Sequence, residues 1–207
     1  MINSRCFSLR ISMVVGMVWV ASALAAQQGA ATQAARQSIT QLLNVLKDPT
    51  LKKSENKEKR RSEIMKIIQT RFDFAEMARR SLGRHWRELK EGERDEFTDL
   101  FAQFLQNTYI KRIEKYKNEK VVYKPEGSIG PGRAEVRTII VTPSAEIPIY
   151  YRCMSVGKDW KVYDVVIEGV SLVNNYRSQF KQIMLKESYK GLRARLKTKI
   201  KKMNAAR

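Results

Sequence analysis

The sequence predicts an α+β fold in which a curved antiparallel sheet of about four strands packs against several helices. Three observations predict it. Apolar residues recur at helical spacing as far as Tyr116, alternate from Val121 to Glu168, and return to helical spacing from Ser171 onward. The connections inside the alternating region are short and marked by glycine and proline, which suits hairpins better than crossovers. The run from Trp160 to Phe180 joins the last strand to the closing helix through a polar corner.

From Gln33 to Lys47, Ile39, Leu42, Leu43 and Leu46 define a helix with one buried face, which Asp48-Pro49 ends. The polar stretch from Lys52 to Arg61 leads into Ile64, Ile67 and Ile68, a second helix whose first turns are solvated. Phe72-Asp73-Phe74 opens a short helix carrying Met77, Ala78 and Leu82, with Gly83 as its stop. A long helix follows from Glu91 to Tyr116, and Phe97, Leu100, Phe101, Phe104, Leu105, Thr108 and Tyr109 form one broad apolar stripe on it.

The strands are predicted at Val121 to Lys124, Ala134 to Thr142, Glu146 to Val156 and Trp160 to Glu168. In the third, Pro148 lacks a backbone donor, which predicts an edge or a bulge there. Ser171 then reads as the N-cap of a closing helix that continues to near the end of the chain. Its apolar residues are Tyr176, Phe180, Ile183 and Met184, then Tyr189, Leu192, Leu196, Ile200 and Met203. Nine basic residues and one acid lie between Lys186 and Arg207.

Residues 1–25 have the pattern of a secretory signal peptide. Arg5 and Arg10 give a positive start, Ile11 to Leu24 an apolar core, and Ala23-Leu24-Ala25 a small-residue cleavage site. Residues 26–207 then form a single domain, of a size that can build its own core. Cys6 leaves with the signal, so Cys153 is alone in the mature chain and no intramolecular disulfide can form. Its place in an apolar strand reads as a small buried hydrophobe.

Of 40 basic and 21 acidic residues, 38 and 21 remain after Arg5 and Arg10 are removed, a formal charge of +17. Such a charge calls for an anionic partner. Export shifts the expectation from nucleic acid to membrane surfaces and phosphate headgroups, and no aromatic-basic nucleic-acid motif is present.

No enzyme signature survives inspection. His85 is the one histidine, which excludes His-rich metal sites, and a single mature cysteine excludes a thiolate zinc site. No Gly-x-Ser-x-Gly elbow surrounds a serine. Asp164 and Glu168 on one strand would stand roughly 13 Å apart, beyond the ~5 to 9.5 Å of a glycosidase pair. Their expected task is to accept hydrogen bonds or to pair with arginines such as Arg177. Gly127 to Gly132 lacks the ending of a phosphate loop and reads as a turn.

Phe72-Asp73-Phe74 with Met77-Ala78-Arg79, Leu82-Gly83, Trp86, then Phe97, Phe101, Leu105 and Thr108-Tyr109, together with Tyr163-Asp164-Val165, Glu168 to Leu172 and Asn175 to Phe180, resemble the MlaC family. The resemblance extends from about Gln33 to Leu196. It implies a periplasmic carrier of glycerophospholipid, known also as a toluene-tolerance protein or auxiliary component of a lipid ABC transporter. It further implies cycling between an outer-membrane lipoprotein complex and an inner-membrane ABC transporter with MCE-domain subunits, with lipid as cargo and no cofactor or reaction. A branch associated with hopanoid clusters makes a hopanoid, or another apolar ligand in the same fold, the alternative cargo. A shuttle has reason to be monomeric.

The resemblance also implies a cavity between sheet and helices for the acyl chains. The residues expected to line it are Trp86, Phe97, Phe101, Phe104, Leu105 and Tyr109 from the helices, and Val136, Ile140, Ile149, Tyr151, Val165 and Ile167 from the strands. Val170, Leu172 and Tyr176 at the corner complete it. Pattern alone does not separate residues that touch lipid from those that fill core. Arg152 and Arg177 are expected at the mouth, where a guanidinium suits phosphate, with pairing to Asp164 or Glu168 as the other role.

Overall fold

The structure is a computed structural model and describes residues 29–205. The signal peptide expected at residues 1–25 and the start of the mature chain lie outside the described residues. No helix among the described residues is long and apolar enough to cross a membrane.

The first helix, α1 (Ala30–Lys47), ends where expected: Asp48 Oδ1 accepts from the backbone N–H of Thr50 (2.7 Å) and Leu51 (3.1 Å), turning the chain. At its start, Glu126 Oε2 accepts from Thr32 N and Thr32 Oγ1, both at 2.7 Å. A carboxylate at this end is favoured by the helix dipole and ties α1 to the sheet. Helix α2 (Lys57–Arg71) follows, and its buried Arg61 donates to Glu114 at the end of a later helix, Nε to Oε1 at 2.9 Å. Helix α3 (Phe74–Leu82) is capped by Asp73, which accepts from Glu76 N at 2.8 Å, and stops at Gly83, where φ is +58°. Helix α4 (Glu91–Glu114) packs against α3 and buries Phe97 and Phe101 completely.

Six strands follow instead of four: β1 (Lys120–Tyr123), β2 (Gly127–Ser128), β3 (Arg133–Val141), β4 (Glu146–Val156), β5 (Asp159–Ile167) and β6 (Val170–Ser171). The two extra strands have two residues each, too short for alternation to reveal. The six strands pair antiparallel with one another in the order β1-β3-β4-β5-β6, with β2 also on β3. Strands β1 and β2 share one edge of β3, interrupted at Pro125, which has no donor for the ladder.

Pro148 corrects a second expectation. It lies in a central strand, opposite Ile139 of β3, and its carbonyl accepts from Glu168 N at 3.0 Å. Its missing N–H therefore faces the place where β5 has just ended, so no ladder bond is lost there. The bulge occurs further on, where Arg152 pairs with Asp164 and Cys153 with Val162, which leaves Tyr163 as the extra residue of β5.

Helix α5 (Leu172–Ala205) is broken at Ser188, with φ 60° and ψ −176°. The reading as one closing helix is thus corrected, for a clear reason. At about 100° per residue, Tyr176 and Phe180 would lie roughly opposite Leu192, Leu196 and Ile200 on an unbroken helix. Only a break lets both stripes face the same core, and all five side chains are buried.

The interior is divided. Helices α3, α4 and α5 share one apolar cluster, and α1 and the sheet share another around Ala31, Ala35, Val136, Cys153, Val162 and Val165. A third, around Leu46, Ile64 and Ile110, joins α1, α2 and α4. Among the described residues, Phe72 packs against both the helical and the sheet cluster.

Candidate functional site

The bulge in β5 positions the polar corner. It places Tyr163 and Asp164 together opposite Arg152, and Asp164 is only 3% exposed. Ser171 Oγ donates to its Oδ2 at 2.6 Å, Arg152 Nη1 to Oδ2 at 3.1 Å and Val173 N to Oδ1 at 3.0 Å. Ser171 Oγ in turn accepts from Asn174 N at 3.1 Å, the N-cap expected from the sequence. A carboxylate held by three donors fastens the start of α5 to β5 and is not presented to a substrate. Glu168 sits apart in the exposed turn with φ of 49°.

A cleft of about 290 Å³ opens beside this corner, lined by Arg80, Glu135, Arg152, Tyr163, Asp164 and Arg177 among others. Arg80 stacks over the Tyr163 ring at 4.1 Å and pairs with Glu76, Nε to Oε1 at 2.6 Å. Arg152, expected at a mouth, bridges Asp164 and Glu135. Arg177 rests against Gly83, where a Cβ would come 2.9 Å from its Nε. Arg80 and Tyr163 were not anticipated. An arginine four residues after Glu76 has the pattern of an ordinary surface pair, and strict alternation would turn Tyr163 away from Asp164.

The expected apolar lining falls into two groups. Phe97, Phe101, Phe104, Leu105, Leu172 and Tyr176 are buried in the helical cluster, with Trp86 and Tyr109 half-buried against it. The Tyr176 ring meets Phe101 edge-on at 5.6 Å and Phe104 at 5.3 Å, and Phe180 closes the group against Phe97 at 5.7 Å. Val136 and Val165 are buried in the sheet cluster, with Ile149, Tyr151 and Ile167 half-buried beside them. Ile140 is half-buried further along the same sheet face, opposite Ile147. Val170 is 61% exposed and belongs to neither group. Its neighbour Ser171 turns inward to Asp164, so alternation along β6 sends Val170 outward.

Two surface clefts, the one at the corner and one of about 300 Å³ between α2, α4 and the end of α5, are lined mainly by polar and charged side chains. Neither is the apolar hollow that the resemblance implies. Burial pushes the Tyr151 hydroxyl and the Cys153 thiol each up to about 12, and pushes Tyr176 up as well, so these groups stay neutral. His85 Nδ1 lies 2.9 Å from Glu88 Oε2 and is part of no nucleophile pair in the described hydrogen bonds. Among the described residues no group of three or more His, Cys, Asp or Glu could hold a metal ion.

The antiparallel sheet and the helices packed on it define an α+β domain with a divided apolar interior and an arginine-lined cleft. Residues 36–198 match the family model described as MlaC protein, and the chain belongs to that family. It is 26% identical over 99 residues to the intermembrane phospholipid transport system binding protein MlaC of Haemophilus influenzae, covering 45% of this chain and 46% of that one. It is 25% identical over 89 residues to toluene tolerance protein ttg2D of Pseudomonas putida, 42% and 41% of the two chains. The chain thus spans less than half the length of either curated relative. In fold it is similar to the structure of a phospholipid-binding protein from Ralstonia solanacearum, solved in complex with a phospholipid. The TM-score is 0.77 at 24% identity, over 85% of this chain and 99% of that one.

Proposed function

We propose that this chain is a periplasmic carrier that holds the acyl chains of a glycerophospholipid between its sheet and its helices. It carries out no reaction and uses no cofactor; the phospholipid is cargo. Membership of the MlaC family and the phospholipid transport and binding roles of the relatives support this reading. On the same reading the carrier is a monomer that alternates between an outer-membrane lipoprotein complex and an inner-membrane ABC transporter with an MCE-domain subunit.

The observation that carries the proposal is the divided interior, in which Phe72 bridges a helical and a sheet cluster. Ile140, Ile147, Ile149 and Ile167 are only half-buried on the sheet face. At about 0.8 kcal/mol per CH₂, a chain of ~16 carbons costs on the order of 12 kcal/mol to expose to water. Separating two apolar clusters to admit such a chain replaces one set of apolar contacts with another. Arg152 and Arg177 then stand near the phosphate at the rim.

Mass spectrometry of organic extracts from the purified mature protein tests the reading. Two-chain phospholipids are the expected result. Polycyclic triterpenes would replace the cargo with a hopanoid, and a protein that binds neither after incubation with both would overturn the carrier proposal.

A further inference from the structure

The second half of α5, residues 189–205, carries seven basic residues and no acid. Its apolar face is already occupied. Tyr189, Leu192, Leu196 and Ile200 are buried in the helical cluster, and the segment runs alongside α4, from Tyr189 Oη donating to Glu93 O at 2.9 Å to Asn107 Nδ2 donating to Asn204 Oδ1 at 3.0 Å. The helix therefore has no free apolar face to insert into a membrane.

Its basic residues lie on both sides of this buried stripe. At about 100° per residue, Lys190, Arg193, Lys197 and Lys201 fall on one flank and Arg195, Lys199 and Lys202 on the other. The crest between the flanks is made of Gly191, Ala194, Thr198 and Ala205, none of which projects far. Carboxylates neutralise little of this charge. Glu96 takes Arg193 (3.3 Å) and Lys197 (2.6 Å), and Glu187 takes Arg195. Seven cations against two carboxylates leave five in excess. Lys199 lies over the Phe104 ring at 5.3 Å, and Lys190, Lys201 and Lys202 are exposed and pair with no carboxylate among the described residues.

We propose that residues 189–205 form a docking face for the surface of an anionic lipid bilayer. The helix lies flat against the headgroups without entering the hydrocarbon. The two basic flanks carry the proposal, because long side chains on both sides of a low crest can reach phosphates in one plane together. A compact acidic partner would engage one flank, whereas a plane of charge engages both. Lys190, Lys201 and Lys202 are exposed and lie outside the expected acyl-chain lining, so docking and cargo can be measured independently with these three residues.

The test is co-sedimentation of the full mature chain with phosphatidylcholine vesicles, with and without phosphatidylglycerol, at low and high salt. Binding is expected only to the anionic vesicles and is expected to fall steeply with salt. Each surface lysine contributes about a fivefold change in affinity, so Lys190→Gln, Lys201→Gln and Lys202→Gln combined should weaken binding by about 100-fold. Co-purified lipid should not change. The corresponding Lys→Arg triple variant should bind like the parent. Equal binding by the Gln variant overturns the proposal. So does an equal loss on neutralising Lys52, Lys124 and Lys158 instead, which would make net charge the cause. Failure to bind anionic vesicles, with capture of an acidic protein in its place, also overturns it.

Discussion

The hydroxyl of Ser171 lies 2.6 Å from the carboxylate of Asp164, and this contact closes the corner where the sheet gives way to the last helix. Ser171 caps α5 with the same oxygen that donates to Asp164. One buried acid thereby fixes the end of β5, the strand β6 and the direction of α5. The corner is a structural joint, and its loss should be felt as instability before it is felt as loss of cargo.

Asp164→Ala leaves the Ser171 hydroxyl and the buried Val173 amide without their acceptor and the half-exposed Arg152 with Glu135 alone, and should cost about 3 kcal/mol. Ser171→Ala removes the cap and one donor and should cost about 1 kcal/mol. Urea unfolding of the two variants measures both, and the expected order is Asp164→Ala below Ser171→Ala below the parent.

The sheet group can be probed with the same substitution at three places. Val165→Glu and Ile149→Glu put a charge on the sheet face that the carrier reading assigns to acyl chains, and should cut co-purified phospholipid several-fold. Val170→Glu, at an exposed position, should leave it unchanged. Lipid counted by mass spectrometry in samples with native circular dichroism checks this. Full lipid in a folded Ile149→Glu protein would remove that face from the site.

Gly83 adopts φ of +58° and leaves no room for a Cβ beside Arg177. Gly83→Ala should therefore cost about 1–3 kcal/mol through backbone strain and displace the guanidinium from the cleft. An Arg177→Ala background should recover only the part of the loss that comes from the clash. A double-mutant cycle by thermal unfolding separates the two.

Asp159 joins the sheet to α2 by accepting from Arg71 Nη1 at 2.7 Å, while Arg71 Nε donates to Ser38 Oγ at 2.9 Å. Burial alone would raise its pKa, but the bonds from Arg71, the Trp160 amide and Lys161 hold it down to about 2, against 3.8 for the free side chain. The folded value is the lower one, so the stabilisation is complete above about pH 4 and is lost as pH falls towards about 2. Asp159→Asn should be less stable than the parent at neutral pH and should show a shallower loss across that acid window. Melting temperatures as a function of pH test this, and parallel curves for the two proteins would rule the linkage out.

Much of the fold was legible because short-range chemistry dictated it. Asp48-Pro49, Asp73 and Gly83 mark helix ends in the sequence and in the structure alike, since a cap or a positive φ needs only neighbouring residues. The two-residue strands β2 and β6 were not legible, because pairing with a distant strand creates them. The break at Ser188 could have been found: its flanking apolar stripes fall on opposite faces of a continuous helix, and only angular arithmetic along the whole segment reveals it.

The site divides in the same way. Periodicity selected apolar side chains that do turn inward, such as Phe97, Phe101 and Val136, because water excludes them wherever they stand on an element. It could not say that these belong to two clusters, nor that Val170 faces solvent while Ser171 faces Asp164. It could not bring Arg80, Tyr163 and Arg177 to one cleft, since those residues meet through the β5 bulge and the packing of α3 against α5. Sequence by itself thus determined the class of fold, the caps and which residues avoid water, all of which depend on local geometry and transfer energy. Tertiary structure alone decided which of those residues meet, because that depends on register and on helix direction, which no local pattern encodes.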